Sequence, residues 1–148
     1  MVAKLPAMTT PAKLKYTIQR GATFRKRLTW KGYPYPVDVR DGVAYKRSDG
    51  ARAPDSDLGP INLTGCEIYM PIRAKMDDTT DLLMLSTING LIVNGGVAGT
   101  IDMHISDEAS GAIVWTAGVF PIDVAHPDGD ASRIAIGSIA VSKGKRFA

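Results

Sequence analysis

Two histidines, one cysteine and scattered carboxylates are the side chains here whose types suit chemistry. Asp102 and His104 stand two apart in an alternating stretch. A strand would turn both to one outward face, as two metal ligands would be turned. No third ligand lies in sequence view, and polar residues on a solvated strand face account for the pair. His126 is the other histidine. Asp128-Gly129-Asp130 matches only a fragment of a calcium loop and lacks its terminal glutamate; Pro127-Asp128-Gly129 reads as a hairpin turn. Cys66 is the single cysteine, which excludes an intramolecular disulfide and a cysteine-based zinc site. It falls on the apolar side of its stretch, where a thiol is inert packing. Gly-x-Ser-x-Gly, His-Glu-x-x-His and phosphate-loop motifs are missing. Asp77-Asp78 and Asp107-Glu108 fall in turns, and nothing aligns them as a glycosidase dyad. Asn62-Leu63-Thr64 is a glycosylation sequon, read as chance because no secretory leader is expected. The sequence thus offers no catalytic residue, no metal site and no cofactor, and the expectation is a protein that is not an enzyme.

Charge is the stronger signal. The net charge is +3 over 148 residues, yet residues 1–31 hold eight basic residues and no acid, so that 1–31 carries +8 and 32–148 carries −5. Lys143, Lys145 and Arg146 make the other end basic too. Basic ends on an acidic body suggest an acidic neighbour, either nucleic acid or another protein surface. Tyr16, Phe24 and Trp30 interleave with the N-terminal cations, but the alternation turns these rings inward and the arginines outward. That gives phosphate contact without a stacking platform, so a solvated or protein-interface face is preferred and no nucleic acid is expected. The candidate interface residues are Lys13, Lys15, Arg25, Arg27, Lys143, Lys145 and Arg146, with Tyr33, Tyr35 and Tyr45 from a loop described next.

These side chains need elements to position them. KLKYTIQ (13–19) alternates with Leu14, Tyr16 and Ile18 on one face, and ATFRKRLTW (22–30) alternates again, so both read as strands. Lys26 falls on the apolar face and needs a bulge, an edge or a snorkelling stem. Residues 31–60 hold many prolines, glycines and charges. They read as a long inserted loop, with a small hairpin at 36–46 closed by Asp41-Gly42. This loop and an extended arm at 1–12 are expected to make most intermolecular contacts, because neither shows a period that would bury it in a core. From residue 61 strands recur: 66–73, 81–87, 91–96, 99–106, 118–125 and 132–142. Pro71 marks its strand as an edge or a bulge. Asn89-Gly90 is a hairpin signal. Residues 107–115 are the one plausible helix, about a turn long, with Ser106 as cap. An apolar phase switch across Gly137 suggests a bulge or a sheet-crossing point there. About eight strands, short turns and almost no helix make an all-β sandwich or small barrel. The domain division is an arm at 1–12 and one domain at 13–148. Hydrophobic residues at 45% and charged residues at 22% fit a globular chain, and no run approaches a membrane span.

The order of motifs carries a resemblance. It runs Gln19-Arg20-Gly21-Ala22-Thr23-Phe24, Leu28-Thr29-Trp30, Ile61-Asn62-Leu63-Thr64-Gly65-Cys66 and Met70-Pro71-Ile72-Arg73. Then come Leu85-Ser86-Thr87, Asn89-Gly90, Gly99-Thr100-Ile101, Ile105-Ser106-Asp107-Glu108, Gly118-Val119-Phe120-Pro121-Ile122-Asp123-Val124, Asp128-Gly129 and the Arg133–Val141 stretch. This resembles small tailed-bacteriophage virion proteins with an Ig-like β-sandwich. More loosely, it is similar to the N-terminal attachment domain of baseplate upper proteins that carry receptor-binding fibres. The resemblance implies a structural tail or baseplate adaptor that helps attach fibres or receptor-binding proteins. It would be made in the host cytoplasm and placed in the virion tail or neck/baseplate region. The partners implied are other virion proteins in multiple copies, with no membrane. Two alternatives stand beside it: a head decoration or head-to-tail connector protein, and a free carbohydrate-binding β-sandwich using Tyr33, Tyr35, Tyr45 and Trp115.

Overall fold

The computed structural model describes residues 12–143. The expected arm lies outside them except for Ala12, which opens the first strand. The strands are β1 Ala12–Gln19, β2 Phe24–Thr29, β3 Lys31–Gly32, β4 Val37–Arg40, β5 Val43–Lys46, β6 Gly59–Pro60, β7 Glu67–Ile72, β8 Leu83–Ser86, β9 Ile92–Asn94, β10 Thr100–Ile105, β11 Ala117–Ala125 and β12 Ala131–Ser142, with one short helix, α1 Asp107–Gly111. The fold is mostly β. Two larger sheets run β1-β12-β11-β7-β8 and β2-β10-β9, and two ribbons run β3-β6 and β4-β5. The eight strands of the larger sheets match the eight periodic segments. The other four, β3 to β6, all lie within 31–60.

Period-two alternation builds the core. β10 buries Ile101, Met103 and Ile105, while β11 buries Phe120, Ile122 and Val124. β1 supplies Ile18, β2 Phe24 and β7 Ile68, Met70 and Ile72, and both sheets feed one continuous apolar cluster. β1 joins the edge of its sheet in parallel with β12, and the remaining pairings are antiparallel. The turn between β1 and β2 is fastened to the segment around α1. Ser106 caps α1 by accepting from the Ala109 N–H. The buried Ser110 hydroxyl donates to the Ala22 carbonyl at 2.7 Å and accepts from the Gly21 N–H at 3.0 Å. Arg20 Nε donates to the Ile113 carbonyl at 2.9 Å.

Four local expectations are corrected. Residues 31–60 hold more structure than a loop with one hairpin. β3 pairs with β6 at their base, and Tyr33, Val37 and Ala53 form a small core of their own with Tyr35 and Ala44 against it. Four-residue strands are too short to show a period, so this core was invisible as a pattern. The hairpin itself is present: β4 pairs with β5, and Asp41 at φ 50° and Gly42 at φ 76° take the left-handed backbone that such a turn needs. Pro71 is neither at an edge strand nor in a bulge, because β7 is interior. The Asp123–Tyr69 register and the Arg73–Val119 bridge place Pro71 opposite Pro121. Two residues without N–H groups face each other, and the ladder simply skips them. Asn89-Gly90 does not close a hairpin; the chain turns there from β8 in one sheet to β9 in the other. The β12 irregularity falls at Ile134, where the β11 register shifts between Ile122 and Asp123, and not at Gly137. Gly137 is a packing glycine: a Cβ there would stand 2.6 Å from both Phe120 Cζ and the Leu14 carbonyl oxygen.

Candidate functional site

The basic N-terminal stretch does not form one patch. On β1 the inward residues are Leu14, Tyr16 and Ile18, so Lys13 and Lys15 stand exposed on the outer face of the five-stranded sheet. On β2 Phe24 is inward, and Arg25 and Arg27 stand exposed on the outer face of the three-stranded sheet. Because the two sheets share one core, these outer faces look away from each other. Lys13 and Lys15 line separate shallow hollows of about 330 and 290 Å³.

The β2 face is the more charged. A groove of about 510 Å³ crosses it, lined by Arg25, Lys26, Arg27, Gly90, Val93, Asp102, Met103 and His104. Cross-strand register sets Arg27 opposite Asp102 and Arg25 opposite His104. Arg27 grips Asp102 with two hydrogen bonds, Nε to Oδ1 at 2.7 Å and NH2 to Oδ2 at 3.0 Å. The guanidinium hydrogen bond holds the Asp102 carboxyl below the usual carboxylate range, against the opposing pull of desolvation. Asp102 is therefore an ion-pair partner, and among the described residues no group of three or more His, Cys, Asp or Glu side chains could hold a metal. Arg25 has a histidine across from it where Arg27 has a carboxylate. Lys26 resolves its awkward phase by two of the expected devices: β2 is an edge strand, and its Nζ reaches 5.9 Å from the Tyr16 ring centroid while the side chain stays exposed.

The tyrosines serve the excursion itself. Tyr33 is buried at 8% exposure and so cannot be the free contact residue expected. The Tyr35 ring stacks on it at 5.8 Å, and its hydroxyl donates to Asp57 Oδ2 at 2.6 Å. Partial removal from water, with Asp57 second, pushes the Tyr35 phenol up to about 12. Tyr45 is half-buried beneath the Arg40 guanidinium at 4.3 Å. Lys143 is exposed just past β12, while Lys145 and Arg146 lie outside the described residues.

One polar cluster escaped the sequence reading. His126 is buried, with Nδ1 3.6 Å from Cys66 Sγ and Nε2 3.1 Å from Ser132 Oγ. The signal was the parity of β11: Phe120, Ile122, Val124 and 126 share one face. Burial pushes the Cys66 thiol up, with Asp128 second, so at neutral pH it stays a thiol and packs. The expected turn at 127–129 is present, with the Gly129 N–H donating to the His126 carbonyl at 3.0 Å. Among the described residues no helix is long and apolar enough to cross a membrane. No protein-family model matches the chain, and no curated protein matches its sequence.

Proposed function

We propose that this chain is a structural protein of a tailed-bacteriophage virion, an adaptor of the tail or baseplate built on an Ig-like β-sandwich. It docks between neighbouring virion proteins and helps attach fibres or receptor-binding proteins. The observation that carries the reading is the placement of cations on two outer faces of one packed core, Lys13 and Lys15 on one and Arg25 and Arg27 on the other. An adaptor must grip two neighbours at once, and exposed strand charges set register and encounter rate at such contacts. The Ig-like reading is supported by strand order. β12-β11-β7-β8 follows the G-F-C-C′ order with β1 added beside G, and β2-β10-β9 follows B-E-D. The resemblance of the motif order to small virion proteins supplies the setting.

The test is incorporation. Lys13→Glu/Lys15→Glu and Arg25→Glu/Arg27→Glu should each keep a β-rich far-UV spectrum. Each should be lost from assembled particles, and cryo-EM of the wild-type particle should show acidic neighbours at both faces. If both variants incorporate as wild type, the adaptor reading fails. A duplex affinity tighter than about 1 μM at physiological salt, falling steeply as salt rises, would favour the head or connector alternative.

A further inference from the structure

Resting on the docking reading for Arg25 and Arg27, we infer that the free edge of β2 accepts an acidic, extended segment of a partner protein as an added strand. Among the described residues β2 has β10 on one side and no strand on the other. The hydrogen-bond phase is fixed by neighbours in the same sheet. His104 N–H donates to the Leu91 carbonyl, and Gly95 N–H donates to the Thr100 carbonyl. Even-numbered residues of β10 therefore bond toward β9, and the odd-numbered Ile101, Met103 and Ile105 bond toward β2. These pair with Leu28, Lys26 and Phe24. In an antiparallel ladder the alternate residues aim their N–H and C=O groups the other way. Arg25 and Arg27 thus present both backbone groups to the open edge and both side chains to the outer face. Such an edge is a template for strand addition, with backbone bonds giving affinity and alternate side chains giving choice.

The charges choose the occupant. A second β2 would set Arg25-Lys26-Arg27 against its own copy, which like-charge repulsion opposes. An acidic residue at every second position would instead face Arg25 and Arg27. No strand among the described residues carries acids at i and i+2, so a strand of a second copy does not fit. The segment belongs to a different protein and is extended, with carboxylates at alternate positions.

The test uses the whole chain, labelled with ¹⁵N, and a synthetic heptapeptide alternating glutamate with valine. Its controls are the lysine analogue and a version N-methylated at the amides facing β2. The glutamate peptide should bind with a Kd of about 100 μM to 1 mM. It should slow amide exchange at Arg25 and Arg27 and leave the already bonded Lys26 and Leu28 amides unchanged. N-methylation should weaken binding at least about tenfold, because it keeps the charge and removes the backbone bonds. Arg25→Glu, which leaves the Arg27–Asp102 pair in place, should weaken it similarly. No binding by the glutamate peptide, equal binding by the lysine or methylated peptide, or binding without protection at Arg25 and Arg27 overturns strand addition. Duplex DNA giving the same protection also overturns it. Failure of the docking reading looks different: strand addition would be seen, yet Arg25→Glu/Arg27→Glu would still enter particles.

Discussion

Phe120 and Tyr33 are both buried aromatic residues, at 0% and 8% exposure, yet their surroundings differ in kind. Phe120 stacks on Tyr16 at 5.9 Å and sits in a cluster fed by both larger sheets. Among the described residues Tyr33 shares its core with only two other buried residues, Val37 and Ala53. Its module is joined to the rest through the β3–β6 ribbon, two residues on each strand. Two exposed polar pairs add little to its stability: Arg47 NH2 to Asp38 Oδ1 at 2.9 Å, and Tyr35 to Asp57. A core shared between sheets melts as one unit. A three-residue core on a ribbon can open locally while the rest stays folded.

Truncation at the two sites gives the largest expected contrast. Phe120→Ala should cost about 3–5 kcal/mol and lower the Tm by roughly 10 °C or more. Val37→Ala empties a similar position in the small module. It should leave the Tm within about 2 °C, because the transition reports the larger core, while proteolysis within 33–58 accelerates. Equal Tm losses would show that the excursion melts with the sheets, and the division would fall.

Two glycines sharpen the comparison on a smaller scale. Gly137→Val meets the Leu14 carbonyl and the Phe120 ring, each 2.6 Å from the new Cβ. Crowding of that kind costs roughly 1–3 kcal/mol and should speed amide exchange along β1. Gly42→Ala meets open space but must hold a φ of 76°. Its cost of about 1 kcal/mol is backbone strain confined to the β4–β5 hairpin. Thermal unfolding should register the first and barely the second, and exchange should place them in different regions.

What the sequence disclosed follows the same division. The alternation of Ile101, Met103 and Ile105 survives in the fold because each strand covers one side of a common core, and a period of two is the trace that leaves. Tyr33, Val37 and Ala53 leave no trace, since their contacts depend on how the excursion folds back through β3 and β6. Pro71 misled because a missing donor is a property of one strand, while its tolerance depends on Pro121 from another. The candidate site divided likewise. That Arg25 and Arg27 point outward was legible from Phe24 and Leu28. Their separation from Lys13 and Lys15 was not, because it depends on β1 and β2 joining different sheets.

The smallest effect should come from the Tyr35–Asp57 contact, and it probes the excursion alone. The Tyr35 phenol is pushed up to about 12, first by partial desolvation and then by the hydrogen bond to Asp57 and its charge. Each of these disfavours the phenolate. A folded value above the unfolded value of about 10 means that the protonated tyrosine stabilises the fold. That contribution is fully present below pH about 10 and is lost as pH rises through about 12. Between pH 5 and 9 it is constant, so stability in that range should not respond to this group. Burial also pushes the Tyr16 phenol up, and the Glu67 hydrogen bond pushes up Tyr69. Ultraviolet titration at high pH should therefore show a late phenolate component that shrinks by one tyrosine in Tyr35→Phe and moves partly downward in Asp57→Asn. Asp57→Asn should leave the Tm at neutral pH nearly unchanged and modestly raise cleavage within 33–58. If instead the late component keeps its full amplitude in Tyr35→Phe, Tyr16 and Tyr69 carry it, and the Asp57 contact is not what holds Tyr35 against the small core.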